Sequence, residues 1–375
     1  MKKIFASILA LCMILALAAC GQTAAPVAEQ PAEQPAAEQP AEKPAEQPAA
    51  EPTAEPEPEP TEEPAPAVAE YKLGLGVSLN MDSSKAGNAQ VDATAAAVVL
   101  DAEGKIVACR IDVAQNKMDV TDGQVNTEAE FLTKQEKQFD YNMVKFGGST
   151  YEWFEQADAF AAYVIGKTAA EVEAMETVVN ESGHIVTTDE ELYATCSISI
   201  ADFKEAIVKA CNDEQGMSFA TAGEIKLGLA INSTADESTA ATEEAEGVVK
   251  MYSEFAAAVV DENGVILAAL TDATQPQIKI DAAGEIVETV FKGTKRELKE
   301  GYNMVAYSNA TLEWYEQAWN FVNYAVGKTA AELEATETVI NEEGHQVAVD
   351  EALYASCSIS VGGMIAVVAK AANNA

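Results

Sequence analysis

Histidine occurs twice in this 375-residue chain, and proline occurs once outside a single N-terminal tract. Two histidines, His184 and His345, rule out a histidine-rich metal site and leave no convincing hydrolase relay. They occupy equivalent turn positions, where an ordinary turn residue stands as the alternative to pH sensing or ligand contact. Positive charge is scarce as well: 23 Lys and Arg face 61 Asp and Glu, for a net charge of −38. A surface so acidic repels nucleic acid and anionic lipid, so neither is expected as a partner. Of six cysteines, Cys12 and Cys20 lie at the N-terminus, leaving Cys109, Cys196, Cys211 and Cys357. Their spacing gives neither a disulfide framework nor a metal motif, and no metal ligands are expected. No apolar run after the first 20 residues reaches the roughly 18 that a spanning helix needs. The Leu-Gly-Leu-Gly at Leu73–Gly76 lies within a strand-like run with no helix after it, so it is not a dinucleotide fingerprint. Acidic pairs are too abundant to single out a general acid or base, and no catalytic residue is expected.

The N-terminus does carry a signal. Lys2 and Lys3 precede an apolar run that ends in Leu-Ala-Ala-Cys at Leu17–Cys20. Residues 1–19 therefore read as a lipoprotein signal peptide, with Cys20 as the lipidated first mature residue. The alternative is an ordinary secretory signal with an accidental cysteine. Two or more acyl chains on one residue hold a protein stably on a membrane. The expected location is the extracytoplasmic face of a cell membrane. Residues 20–69 follow as a stalk with twelve of the thirteen prolines, expected to be disordered because proline denies both helix and ladder bonds.

Beyond the stalk the chain repeats itself. Tyr141–Ile200 and Tyr302–Val361 align without a gap at an offset of 161, with 37 of 60 positions identical. "YKLGLGVSL" at Tyr71 is echoed by "IKLGLAINS" at Ile225, which sets two expected tandem domains at 70–224 and 225–375. In each, two β-rich runs flank a turn, at Ala95–Val113 and Phe255–Leu270, and helical patterns follow. Strands first and helices later predict an α+β fold, each domain a hairpin-containing sheet on helices. A helix over about Thr150–Ile165 carries Trp153 on its apolar stripe, with Ser149 and Glu152 as its expected capping box. Trp314 takes the same place in the second copy. Thr168 opens a further short capped helix.

The most informative string is "YATCSISI" at Tyr193–Ile200, repeated as "YASCSISV" at Tyr354–Val361. Hydroxyls leading into a helix aim backbone N–H groups at a phosphate, or else Ser199 and Ser360 simply cap their helices. Both readings stand on spacing alone. Cys196 and Cys357 are expected as small buried thiols.

The order "EWFEQA…YVIGKTAAEV", "ELYATCSISI" and a helix resembles the extracellular FMN-binding domain of bacterial flavin lipoproteins and of subunits of membrane redox pumps. That family places Ser-Gly-Ala-Thr before a helix, and a transferase joins FMN through its phosphate to the Thr. Ala194-Thr195-Cys196-Ser197 and Ala355-Ser356-Cys357-Ser358 stand over that motif, with Thr195 and Ser356 in place of its glycine. The resemblance implies FMN as cofactor and Ser197 and Ser358 as acceptors. Cys196, Cys357, Thr195 and Ser356 would lie beside it, with Trp153, Trp314, Tyr141 and Tyr302 available to stack. Core packing is the alternative role for the tryptophans. It further implies a flavin carrier in extracytoplasmic electron transfer rather than a true enzyme, served by a flavin transferase and membrane redox partners. The rival expectation is a surface lipoprotein that kept the fold, lost flavin and binds a small ligand or another surface protein.

Overall fold

The computed structural model describes residues 67–308 and 310–375. The expected signal peptide, Cys20 and nearly all of the expected stalk lie outside the described residues. The fold mixes helices and strands, the strands falling in several sheets.

The first repeat opens with three long strands, β1 (Ala69–Asn80), β2 (Asn88–Leu100) and β3 (Ile106–Asp119). Short helices α1 (Lys134–Lys137) and α2 (Met143–Gly147) lead to the Trp-bearing helix α3 (Trp153–Tyr163) and to α4 (Ala169–Glu173). A small hairpin, β4 (Thr177–Val179) with β5 (Ile185–Thr187), precedes α5 (Glu190–Thr195), α6 (Ala201–Cys211) and β6 (Met217–Thr221). The main sheet is antiparallel, in the order β3-β2-β1-β6. The glycines of Leu-Gly-Leu-Gly now have a cause. A β carbon on Gly74 would overlap the Ala210 carbonyl of α6, so they let that helix lie directly on β1.

The second repeat follows the same order with one interruption. Its main sheet holds β7 (Lys226–Thr234), β9 (Tyr252–Val260) and β10 (Ile266–Thr274). Between and after these come β8 (Gly247–Lys250), β11 (Gln277–Ile280) and β12 (Ile286–Val290), a separate three-stranded sheet. Pro276, the single proline beyond the stalk, sits between β10 and β11 and has no N–H for a ladder, so the long hairpin of repeat 1 is here broken in two. The helical part comprises α7 (Lys295–Leu298), α8 (Met304–Tyr307), α9 (Trp314–Ala325) and α10 (Ala330–Glu334). After them come hairpin β13 (Thr338–Ile340) and β14 (Gln346–Ala348), then α11 (Glu351–Ser356) and α12 (Gly362–Asn373).

Each main sheet has two buried faces. Ala96, Val98 and Ile111 of repeat 1 pack on Trp153, Phe160 and Ile207 of its helices. The opposite face, with Leu73, Leu75, Ala95 and Val99, shares a single core with Leu227, Leu229, Phe255 and Val259 of repeat 2. The layers therefore run helix, sheet, sheet, helix, and the inner core belongs to both repeats. The runs Ala95–Leu100 and Phe255–Val260 are apolar on both faces, so each needs a second cover.

Two ion pairs across this interface are exchanged. Lys370 meets Glu136 at 2.7 Å, and Lys209, its counterpart, meets Glu297, the counterpart of Glu136, at 3.1 Å. Such reciprocity is the signature of an isologous, two-fold contact, here built within one chain. Only one side adds a buried ion pair, Arg296 to Asp213 at 3.0 Å.

Two capping assignments are corrected. The box at α3 is formed by Glu152 and Glu155, not by Ser149 and Glu152. Glu152 reaches back to the backbone N–H of Met143 at 2.7 Å, so its carboxylate ties the preceding loop as well as the helix start. Ser199 and Ser360 do not cap α6 and α12; the N-cap positions are Ile200 and Val361, without a side-chain cap bond. Thr168 and Thr329 do open capping boxes with Glu171 and Glu332.

Candidate functional site

The string Cys-Ser-Ile-Ser links two helices, because Asp189 and Asp350 cap α5 and α11 just before it. Cys196 ends α5 and points into the core, where burial pushes its thiol up to about 12; Cys357 does the same. Neither thiol is poised for chemistry. Thr195 and Ser356 turn back to the Leu192 and Leu353 carbonyls at 3.1 and 3.2 Å, so they finish their helices. Ser197 is held differently. Its N–H donates to Gln156 Oε1 at 2.9 Å and its hydroxyl at 3.3 Å, and Ser358 meets Gln317 at the same distances. Gln156 and Gln317 are buried on the Trp-bearing helices and clamp the string to them. A glutamine repeated on an otherwise apolar stripe was the available signal for this clamp.

In repeat 1 the clamped string forms one wall of a cleft of about 660 Å³, within the usual range for small-molecule sites. Its floor is the helix-facing side of the main sheet beyond the end of α6. Asn80, Asp92 and Gln115 are register partners across β1, β2 and β3, and Thr94 and Val113 form the next row. Trp153, Tyr141, Phe203 and Lys134 stand at one side; Asn180, Ser182 and His184 of the β4–β5 turn stand at another. Ser197 and Ser199 both line the cleft, and Thr195 and Cys196 do not.

Lys134 is the charged centre of this wall. Its Nζ lies 5.1 Å from the Tyr141 ring and 5.2 Å from the Trp153 ring. Burial lowers its pKa to about 8, with Asp92 pulling the other way. Asp202, in the first turn of α6, is pushed up by burial and then by Glu205 and Asp92.

The equivalent place in repeat 2 is furnished otherwise. Tyr252 and Glu254 stand where repeat 1 has Asp92 and Thr94. Lys295 lies 4.9 Å from the Tyr252 ring, 5.0 Å from Tyr302 and 5.2 Å from Trp314. Burial lowers its pKa to about 8, with Glu254 opposing. The Glu254 carboxylate fills the space beside Gly363 at the start of α12, the position Asp202 holds in α6. Trp153 and Trp314 are buried, as core residues are, and Trp153 also edges the cleft.

For a flavin, the repeat 1 cleft fits in size, in aromatic lining and in a half-buried hydroxyl at Ser197. Ser197, Lys134, Tyr141 and Trp153 are the residues that would hold it. Repeat 2 does not fit, since Tyr252 and Glu254 occupy the corresponding floor. No protein-family model, curated protein or solved structure matches this chain.

Proposed function

We propose that the chain is a membrane-anchored surface lipoprotein, held through Cys20, with two FMN-binding-like domains at 70–224 and 225–375, and that it carries flavin in extracytoplasmic electron transfer. The observation that carries this reading is the repeat 1 cleft, in which Ser197 shares walls with Trp153, Tyr141 and Lys134. A bound flavin would supply the redox chemistry; the chain's residues bind and orient it. Ser197 is the hydroxyl available for attachment by a flavin transferase, and Gln156 fixes its backbone.

A second reading, ligand binding without flavin, is favoured by Asp202. A carboxylate in the first turn of α6 takes the favourable end of the helix dipole that a phosphate would use.

Protein purified from the membranes of its own host, with detergent, tests both. Flavin fluorescence that survives denaturation, with an FMN-sized mass addition on the peptide holding Ser197, is expected. Protein with no such addition and no affinity for added FMN or riboflavin would sink the flavin reading. Cys20→Ser should move the protein from the membrane fraction to the soluble one.

A further inference from the structure

Asp92 and Lys134 both line the repeat 1 cleft, and each keeps a bonding group without a partner among the described residues. Asp92 Oδ1 is buried with no hydrogen-bond partner, although Oδ2 accepts from Gln90 at 2.6 Å. Lys134 Nζ stands over two rings and joins no ion pair among the described residues. Asp92 is the charge that acts most strongly on Lys134, yet the two do not close into a bond. An unbonded buried carboxylate oxygen is unfavourable, so such a pair marks a place for something with both a donor and an acceptor. A hydroxyl is both, and two adjacent hydroxyls can give to Asp92 while accepting from Lys134.

Repeat 2 shows the same frame satisfied from within. Tyr252 replaces Asp92 and takes a hydrogen bond from Lys295 at 3.4 Å, while Tyr302 donates to Gln275 at 3.1 Å. The counterparts in repeat 1, Tyr141 and Gln115, line the open cleft instead. An anion seated on the N-terminus of α6 or α12 is poorly matched, because Asp202 or Glu254 already places a carboxylate there.

We propose that the repeat 1 cleft binds the neutral polyol part of its ligand, a vicinal diol held between Asp92 and Lys134, and that repeat 2 binds none. This rests on repeat 1 being the ligand site, as in the flavin reading. The diol belongs either to the ribityl chain of a flavin or to a free sugar or sugar alcohol.

The full chain, produced in a host without a flavin transferase so that no flavin is attached, is titrated calorimetrically with riboflavin, with lumiflavin (a methyl group in place of the ribityl chain), and with ribitol and ribose. Riboflavin should bind at one site per chain and lumiflavin at least tenfold more weakly. Asp92→Asn and Lys134→Met should each weaken riboflavin at least tenfold, and Tyr252→Phe should leave it unchanged. Should the Asn variant lose its melting transition, Asp92→Tyr, which installs the residue that repeat 2 carries, replaces it. Binding of ribitol or ribose without riboflavin would keep the diol site and remove the flavin reading. Equal affinity for riboflavin and lumiflavin, two sites per chain, or no binding of riboflavin, ribitol or ribose overturns the proposal.

Discussion

Lys370 of the second repeat closes on Glu136 of the first at 2.7 Å, while the same ammonium donates to the Ile231 carbonyl of its own β7 at 2.8 Å. Lys209 makes the mirrored pair, to Glu297 at 3.1 Å and to the Val77 carbonyl at 2.9 Å. Each lysine thus ties its own helix to its own sheet and to the other repeat. Glu136→Lys should destabilise the chain by about 1–2 kcal/mol, since it removes a half-buried pair and sets two cations together. Adding Lys370→Met should remove the cation clash and recover part of that loss in urea denaturation, less the bond to Ile231. No recovery would mean that the pair contributes only packing.

The shared inner core bears on whether the repeats can live apart. Cutting between residues 224 and 225 would expose the inner faces that carry Leu73, Val99, Leu229 and Phe255. Neither half alone should give a cooperative thermal melt, whereas the two halves produced together should purify as a one-to-one complex that does. A cooperative melt from either isolated half as a monomer would show that the inner core is dispensable.

Gln156 accepts from both the N–H and the hydroxyl of Ser197. Gln156→Ala should cost about 1–3 kcal/mol, the usual penalty for stranding buried polar groups. Gln317→Ala should cost a similar amount. Only the first should also weaken a ligand in the repeat 1 cleft, because Ser197 lines that cleft.

Asp112 and Asp272 are buried counterparts whose carboxyls are pushed up to about 6, first by burial. A raised carboxyl pKa means that the folded state holds a proton the unfolded state releases. Its contribution is present in full below the unfolded value and is lost as pH rises through about 6. Stability should therefore rise between pH 7 and pH 5, by roughly 1 kcal/mol per group. Lys134 and Lys295, lowered to about 8, act in the opposite window: stability should rise again from pH 8 towards 10. Denaturation curves at fixed ionic strength check both arms. The double variant Asp112→Asn, Asp272→Asn should flatten the acid arm alone.

Much of the fold was legible because its signals are local. The turn at Asp101–Gly104 and the Thr168 box depend on neighbours a few residues apart, and the duplication shows as a gapless self-alignment. The misread cap at α3 has a cause outside its own turn. A carboxylate at Glu152, anchored by Met143, does what the Ser149 pattern was expected to do, and that anchor lies nine residues back. The floor of the cleft was illegible for a different reason. Asn80, Asp92 and Gln115 meet only through the register of three strands, and no local pattern fixes that register.

Joining the two halves of a symmetric dimer in one polypeptide frees them from changing together. In a dimer of identical chains a substitution at the Asp92 position would appear in both clefts at once, so closing one would close the other. Here tyrosine can occupy the equivalent place at Tyr252, and Glu254 can fill one floor, while Asp92 keeps the other open. One copy becomes scaffold and the other keeps the room for a guest.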